Sequence, residues 1–127
     1  MRVCLDTNRY RDLIDGKVEV VRTLEEAISV HLPFAVLAEL LAGFAVGTRR
    51  ESNQRTLRSF LSKSGVETLY PDEGTAEAYA SLYAQLRAQG TPIPTHGLWI
   101  AALSMQHGLA LYSRDAHFAN LPQLHRI

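Results

Sequence analysis

The chain has 127 residues, a length that suits one compact domain and leaves little room for a second. Apolar residues make up 46% of it and charged residues 20%, so an ordinary buried core can hold the fold without disulfides. Thirteen Lys and Arg residues balance thirteen Asp and Glu residues, so any contact with a polyanion must come from local patches or from metal ions.

The single cysteine and the lack of long apolar stretches indicate in which cellular compartment the protein works. Cys4 lies in the apolar run Val3-Cys4-Leu5, where a small buried thiol is the simplest interpretation and suits a reducing environment. No stretch reaches the roughly 20 apolar residues that span a bilayer, and a strand begins too early for a signal peptide to precede it. We therefore expect a cytoplasmic protein with no membrane contact.

The beginning of the chain predicts two strands, each followed by a helix. Residues 2–5 form a short apolar run closed by Asp6, which favours a buried strand leading into a helix. Helical spacing of apolar residues follows over 18–28, and a strand is predicted over 29–34. The next helix is predicted over 36–46.

The middle of the chain continues this alternation. A helix is predicted over 53–63 and a strand over 66–70. Asp72 is expected to cap a long helix that ends at Gly90, because Asp favours the first cap position and Gly the last.

The final part of the chain predicts a central helix and the remaining strands. Thr95 is expected to cap a largely apolar helix that stops at Gly108. A strand over 109–112 follows, and residues 124–127 can add a short edge strand. Strands that alternate with helices predict a three-layer α/β/α fold, with a central parallel sheet of four to five strands, in a single domain over 1–127.

Three acidic residues follow predicted strands and are expected to share one crevice. In an open parallel sheet, ligands bind beyond the carboxyl ends of the strands, where Asp6 follows the first strand and Asp115 the fourth. Glu39 lies in the helix after the second strand and can face the same crevice. Carboxylates brought together repel one another, so a hard cation such as Mg2+ or Mn2+ between them would stabilise the arrangement. The pattern therefore predicts a metal site that can hold a phosphate oxygen and activate water.

These polar residues also have simpler structural interpretations. Asp6 can be a helix N-cap, Glu39 a first-turn acid favoured by the helix dipole, and Asp115 a turn residue. Thr7 and Ser113 are most simply a cap and a turn residue.

Four segments together resemble the PIN-domain ribonucleases. They are Leu5-Asp6-Thr7-Asn8, the run from Leu37 to Gly43, Pro92-Ile93-Pro94 with the helix after it, and the run from Tyr112 to Phe118. Their order and spacing cover nearly the whole chain, and the closest group is the VapC-like toxins of bacterial type II toxin-antitoxin systems. The resemblance implies a Mg2+- or Mn2+-dependent endoribonuclease that often forms a homodimer. It also implies silencing by a VapB-type antitoxin, which inserts a peptide near the acidic crevice.

The resemblance assigns roles to individual residues. Asp6, Glu39 and Asp115 match three acids of the family and are the expected catalytic and metal-binding residues. It also suggests that the hydroxyl groups of Thr7 and Ser113 orient a carboxylate or a metal-bound water.

Gly97 departs from the family pattern, which usually has a further acid at this position. Gly has no side chain that could bind a metal, and inside a helix it is about 1 kcal/mol less favourable than Ala. Three explanations are open: a chain inactivated by mutation, a natural variant with weakened metal binding, or a site in which His96 or water fills the gap. Imidazole would suit Mn2+ or Zn2+ better than Mg2+. A neighbouring helical position points about 100° away, which favours weakened activity over rescue by His96.

A local surplus of positive charge lies between the second and third predicted strands. It comprises five basic residues opposed only by one acid: Arg49, Arg50, Arg55, Arg58 and Lys63 against Glu51. Such a stretch is usually a solvated helix face. In an RNA-cutting protein it would instead hold backbone phosphates, with an affinity that falls as salt rises.

Two functions from different classes follow. The leading hypothesis is metal-dependent hydrolysis of RNA by Asp6, Glu39 and Asp115, weakened by Gly97. The alternative is a catalytically silent PIN-like module that keeps antitoxin or RNA binding. An aspartyl phosphatase built on Asp6 is a weaker possibility, because that chemistry normally has a second acid two residues later, where this chain has Asn8.

Overall fold

Strands and helices alternate along the whole chain, and the computed structural model describes all residues from 1 to 127. The first part contains two strands and four helices: β1 (Arg2–Leu5), α1 (Thr7–Ile14), α2 (Val18–Glu26), β2 (Ser29–Pro33), α3 (Phe34–Val46) and α4 (Arg50–Leu61). The second part contains β3 (Val66–Leu69), α5 (Glu73–Gln89), α6 (Thr95–Gln106), β4 (Ala110–Tyr112) and a 3-10 turn (Ala116–Asn120). None of the helices combines the length and the apolar character that crossing a bilayer requires.

The four strands form one parallel sheet in the order β3-β2-β1-β4. Strand β1 is central, because Val3 pairs with Val30 of β2 on one side and with Ala110 of β4 on the other. Its residues Val3, Cys4 and Leu5 are fully buried, as expected for a strand covered on both faces. Burial also raises the pKa of the Cys4 thiol to about 12.

The strand order determines which helices cover each face. Connections between parallel strands are right-handed, and the chain moves from β1 to β2 to β3 in one direction before it returns past them to β4. Helices α1 to α4 therefore cover one face, and α5 and α6 cover the other. The contacts agree, since α1 packs on α2 and α3, α3 on α4, and α5 on α6. This confirms the predicted three-layer α/β/α fold.

Two local predictions are corrected by the structure. Thr95 is not the cap of α6 but its first residue, because Pro94 takes the cap position with extended backbone and no side-chain hydrogen bond. Residues 124–127 do not form a full strand: only Arg126 bridges to Leu111, in parallel, at the outer edge of β4. The sheet thus has four strands with one isolated bridge added.

Candidate active site

A cleft of about 370 Å3 opens beyond the carboxyl ends of β1 and β4. Asp6, Glu39, Gly97 and Asp115 all line it, although they come from four separate parts of the chain. Two parallel strands that end at the same edge of a sheet bring Asp6 and Asp115 together, and the start of α3 brings Glu39 to them. The crevice predicted from the sequence is therefore present.

Asp6 is the most deeply buried acid of the cleft, with 6% of its surface exposed. Its Oδ1 accepts a hydrogen bond from the backbone N–H of Thr7 at 2.7 Å, and its Oδ2 accepts one from Ser113 Oγ at 2.6 Å. Burial raises the pKa of Asp6, the hydrogen bonds from Ser113 and Thr7 oppose this rise, and the charges of Glu39 and Asp115 add to it. Asn8 Nδ2 adds a longer hydrogen bond to Oδ2 at 3.5 Å, so the carboxylate has three donors and two repelling neighbours.

Glu39 lies half-exposed in the first turns of α3. Its Oε2 accepts a hydrogen bond from Thr7 Oγ1 at 2.8 Å and lies 2.7 Å from Nε2 of His96. His96 therefore occupies part of the cleft beside the glycine, and its imidazole pairs with the acid from another helix. The Thr7 hydroxyl orients this carboxylate, which is the role that the resemblance suggested for it.

Asp115 lies on the loop after β4, and the loop's own polar groups hold it. Its backbone N–H donates to Ser113 Oγ at 3.0 Å, and its Oδ1 accepts from the backbone N–H of His117 at 2.9 Å. The imidazole Nδ1 of His117 lies 2.9 Å from the same oxygen. Ser113 therefore connects Asp115 to Asp6, because its hydroxyl donates to one acid and accepts from the backbone of the other.

Gly97 is the third residue of α6 and lies at the wall of the cleft. A Cβ atom added there would lie 3.5 Å from Phe118 Cζ and 3.9 Å from Ile93 Cδ1, which are ordinary van der Waals distances. Its backbone lies in the helical region rather than the left-handed one, so neither strain nor crowding requires glycine here. A Cβ atom therefore fits at this position without a shift of its neighbours.

Sequence reasoning missed a buried acid beside the cleft. Asp12 on α1 is 1% exposed, and its carboxylate contacts three basic residues: Arg9, Lys17 and Arg114. Its pKa lies well below its usual range, first because of the hydrogen bond from Lys17 and then because of those from Arg114 and Arg9, which outweigh burial. The available signal was its place one helical turn after Asn8, which puts both residues on the same face of α1.

Arg11 is the second residue missed from the sequence. It lines the acidic cleft and also a neighbouring groove of about 340 Å3 between α1, α3 and α4.

The basic residues predicted to hold RNA lie away from the cleft. None of the five lines it: Arg49, Arg50, Arg55, Arg58 and Lys63. Arg55 and Lys63 line a separate surface groove together with Leu13 and Ile14.

Comparison with known proteins assigns the fold to a family. The model of the PIN domain matches residues 3–124, which is nearly the whole chain. The chain belongs to the PIN-domain family.

The most similar relatives of this PIN domain include a ribonuclease and two toxin-antitoxin complexes. The chain is 33% identical over 88 residues to ribonuclease VapC4 of Mycobacterium tuberculosis, covering 69% of this chain and 68% of the relative. The structure of VapBC2 from Rickettsia felis bound to a promoter DNA fragment matches with a TM-score of 0.87 and 25% identity, covering 100% of this chain and 98% of the other. The structure of VapBC-5 from M. tuberculosis matches with a TM-score of 0.75 and 26% identity, covering 99% and 98%.

Ribonucleases with a PIN domain generally depend on divalent metal ions, so we tested whether the cleft fits one. No group of three or more His, Cys, Asp and Glu side chains is spaced to hold one ion together. The donors are nevertheless hard carboxylate oxygens in an open cleft, and Mg2+-type ions are commonly held by one or two carboxylates with water and substrate phosphates. The residues thus fit a hydrated ion on part of the acidic set, not an ion enclosed by three protein ligands.

Proposed function

We propose that this PIN domain is a VapC-type endoribonuclease toxin that hydrolyses RNA phosphodiester bonds in the cytoplasm, where its substrate is made. The observation that carries the proposal is the convergence of Asp6, Glu39 and Asp115 on one cleft. The likeness to ribonuclease VapC4 supports it. The family match over 3–124 supports the related proposal that residues 1–127 form a single domain.

Part of the acidic set of Asp6, Glu39 and Asp115, with water completing the coordination, would hold the divalent ion, which we propose to be Mg2+ or Mn2+. When bound, such an ion lowers the pKa of a water nucleophile and offsets charge on the phosphate and the leaving oxygen. The donor chemistry supports this choice, because both ions prefer oxygen ligands. Gly97 leaves the site without the acid usual for the family, which weakens the hold on the ion.

The other polar residues of the site would orient the acids and the RNA. The Ser113 hydroxyl and the Thr7 backbone N–H fix both oxygens of Asp6, while the Thr7 hydroxyl fixes one oxygen of Glu39. Arg11 lines the same cleft, so its guanidinium could neutralise a phosphate of the bound RNA. Beyond the cleft, the exposed basic residues in and beside α4 would hold the rest of the strand: Arg49, Arg50, Arg55, Arg58 and Lys63.

A VapB-type antitoxin is the proposed partner. Matches to VapBC complexes over the full length of the chain support it. A groove lined by Tyr10, Ile14, Leu40 and Phe44 adjoins the acidic cleft at Arg11, so a peptide lying in the groove would reach the acids. The homodimer implied by the resemblance stays a prediction.

Replacing Asp6 by Asn tests the nuclease proposal. The variant should lose metal-dependent RNA cleavage by about a hundredfold or more, because the site loses its most buried ionisable ligand. Glu77→Gln is the matched control, since it makes the same acid-to-amide change on the exposed surface of α5. Cleavage of a labelled RNA is measured with Mn2+ present, and thermal melting verifies that both variants fold. Undiminished cleavage by Asp6→Asn would refute the proposal.

A catalytically silent PIN-like module is the second candidate, and Gly97 is the observation that favours it. Because a Cβ atom fits at this position and the backbone is helical there, Gly97→Asp is the substitution that supplies the acid usual for the family. A rise of about tenfold or more in cleavage and in Mn2+ affinity would mark the chain as an impaired nuclease. No rise, with antitoxin or RNA binding retained, would favour the silent module. Gly97→Asn separates the effect of the charge from that of the added bulk.

A further inference from the structure

We propose that Asp12, a residue outside the cleft, positions the candidate catalytic loop through Arg114. The loop after β4 carries Ser113 and Asp115, and α1 holds the residue between them by both its side chain and its backbone. The inference has two parts. The expected effect on metal binding rests on the proposed function, whereas the ordering of the loop can be measured without a metal.

The side-chain attachment is a bidentate ion pair. Arg114 Nε donates to Asp12 Oδ2 at 2.9 Å, and Arg114 Nη2 donates to Asp12 Oδ1 at 3.1 Å. Exposed ion pairs usually contribute little, but here the side chain of Asp12 is only 2% exposed and both of its oxygens are engaged. The paired geometry fixes the direction as well as the distance of the guanidinium.

The backbone attachment lies one helical turn earlier on the same face of α1. Asn8 Oδ1 accepts the backbone N–H of Arg114 at 3.1 Å, and Asn8 Nδ2 donates to Ser113 Oγ at 3.3 Å. Asn8 and Asp12 together therefore hold the loop at residues 113 and 114. Asp115 follows directly, so these contacts position its backbone without involving its own side chain, which His117 holds separately.

Two further cations hold Asp12 in place without touching the loop. Lys17 Nζ lies 2.7 Å from Asp12 Oδ1, and Arg9 Nη1 lies 3.2 Å from Oδ2. When Arg114 is removed, the buried carboxylate keeps these two partners, so the fold should survive the change. Lys17 also provides a matched control, because its loss removes a partner of Asp12 and leaves the loop attachment intact.

The experiment compares Arg114→Met, Arg114→Lys and Lys17→Met with the unaltered chain by two measurements. Hydrogen exchange of the Asp115 and His117 amides, followed by NMR without metal, reports the order of the loop. Calorimetric titration with Mn2+ reports the affinity of the site. Arg114→Met should speed exchange about tenfold and weaken Mn2+ binding about 10- to 100-fold, as loss of an orienting partner does. Lys17→Met should stay within about twofold on both measurements, and Arg114→Lys should fall between, because it restores one donor of two.

Three results would overturn the inference. Unchanged amide exchange in Arg114→Met would show that the ion pair does not order the loop. Equal losses in Lys17→Met would assign the effect to general stability. Unchanged Mn2+ affinity with weaker RNA binding in Arg114→Met would make Arg114 a direct phosphate contact. An unaltered chain that neither binds Mn2+ nor cuts RNA would refute the proposed function instead, and the exchange measurement would still decide whether Arg114 orders the loop.

Discussion

Asp6 is a buried carboxylate beside two other acids, and both conditions oppose its ionisation. Burial is the larger effect, the charges of Glu39 and Asp115 add to it, and the hydrogen bonds from Ser113 and Thr7 only partly compensate. The folded chain therefore holds the ionised form of Asp6 less well than the unfolded chain does. A cation in the cleft would reverse this preference, so the feature that weakens the metal-free fold is the one that attracts the ion.

The pH dependence of stability tests this balance at Asp6. Because folding raises its pKa above 3.8, the group's contribution to stability is full below that value and is lost as pH rises through the folded pKa. Asp6→Asn removes the titrating group. The free energy of unfolding of the unaltered chain, relative to the variant, should thus fall as pH rises from below 3.8 through the folded pKa. Urea denaturation over this range measures it, and parallel curves for the two chains would contradict the expectation.

Helix α5 shows how local sequence signals set the ends of an element. Asp72 Oδ1 accepts the backbone N–H of Thr75 at 3.1 Å, and Thr75 Oγ1 accepts that of Asp72 at 3.0 Å. Gln106, at the end of α6, donates to the same Asp72 oxygen at 2.7 Å and connects the two helices of this face. Gly90 ends α5 in the left-handed conformation, with a φ of 70°. Both ends of α5 were predicted from the sequence. Each is set by a local signal, Asp72 at the start of the helix and Gly90 at its end, that depends only on residues close by in the chain.

Removing the cap of α5 should destabilise the fold without affecting the proposed active site. Asp72→Ala leaves the first N–H groups of the helix without their acceptor, and we expect the melting temperature to fall by roughly 3–5 °C. Hydrogen bonds from Gln106 and Thr75 lower the pKa of Asp72, so its stabilising effect is present above 3.8 and is lost as pH falls below that value. Circular dichroism melts at neutral and acidic pH measure both effects. Asp72→Asn keeps an acceptor oxygen and should lose less, and equal losses would argue against the cap.

The start of α6 was predicted less well than the ends of α5. Thr95 has the side chain of a cap residue, but the preceding Pro94 already has the extended backbone of the cap position. The choice between neighbouring cap positions depends on the path of the loop 90–94 between α5 and α6. That path is a tertiary property, which local spacing does not encode.

At the scale of the whole molecule, the sequence predicted the convergence of the acids but not what surrounds them. Parallel strands end at one edge, so Asp6 and Asp115 could be placed together from the order of the elements alone. The burial of Asp12 and the position of Arg11 could not, because they depend on how α1 packs against α3 and against the loop after β4. The surplus of basic residues in and beside α4 could be read from the sequence. Its position away from the cleft could not, because that position depends on how the helices pack.

Salt dependence of RNA binding tests that basic stretch. In an Asp6→Asn background, which prevents cleavage, Arg55→Gln with Lys63→Gln should lower the slope of log affinity against log salt by about 1.4, since each phosphate contact on single-stranded RNA contributes about 0.7. Arg22→Gln with Arg87→Gln removes the same charge from exposed positions on α2 and α5. Fluorescence anisotropy at several salt concentrations gives both slopes. Equal reductions in the two pairs would assign the effect to net charge rather than to a specific path.

The central position of β1 in the sheet determines at which point of synthesis the proposed active site can assemble. Asp6 is synthesised before its neighbouring strand β4 and before the loop that carries Ser113 and Asp115. A nascent chain that has already folded its first helices still lacks the Ser113 hydroxyl that holds Asp6 and the Asp115 carboxylate that lines the cleft. The proposed nuclease activity would therefore begin only after β4 and the loop that follows it have joined the sheet beside β1.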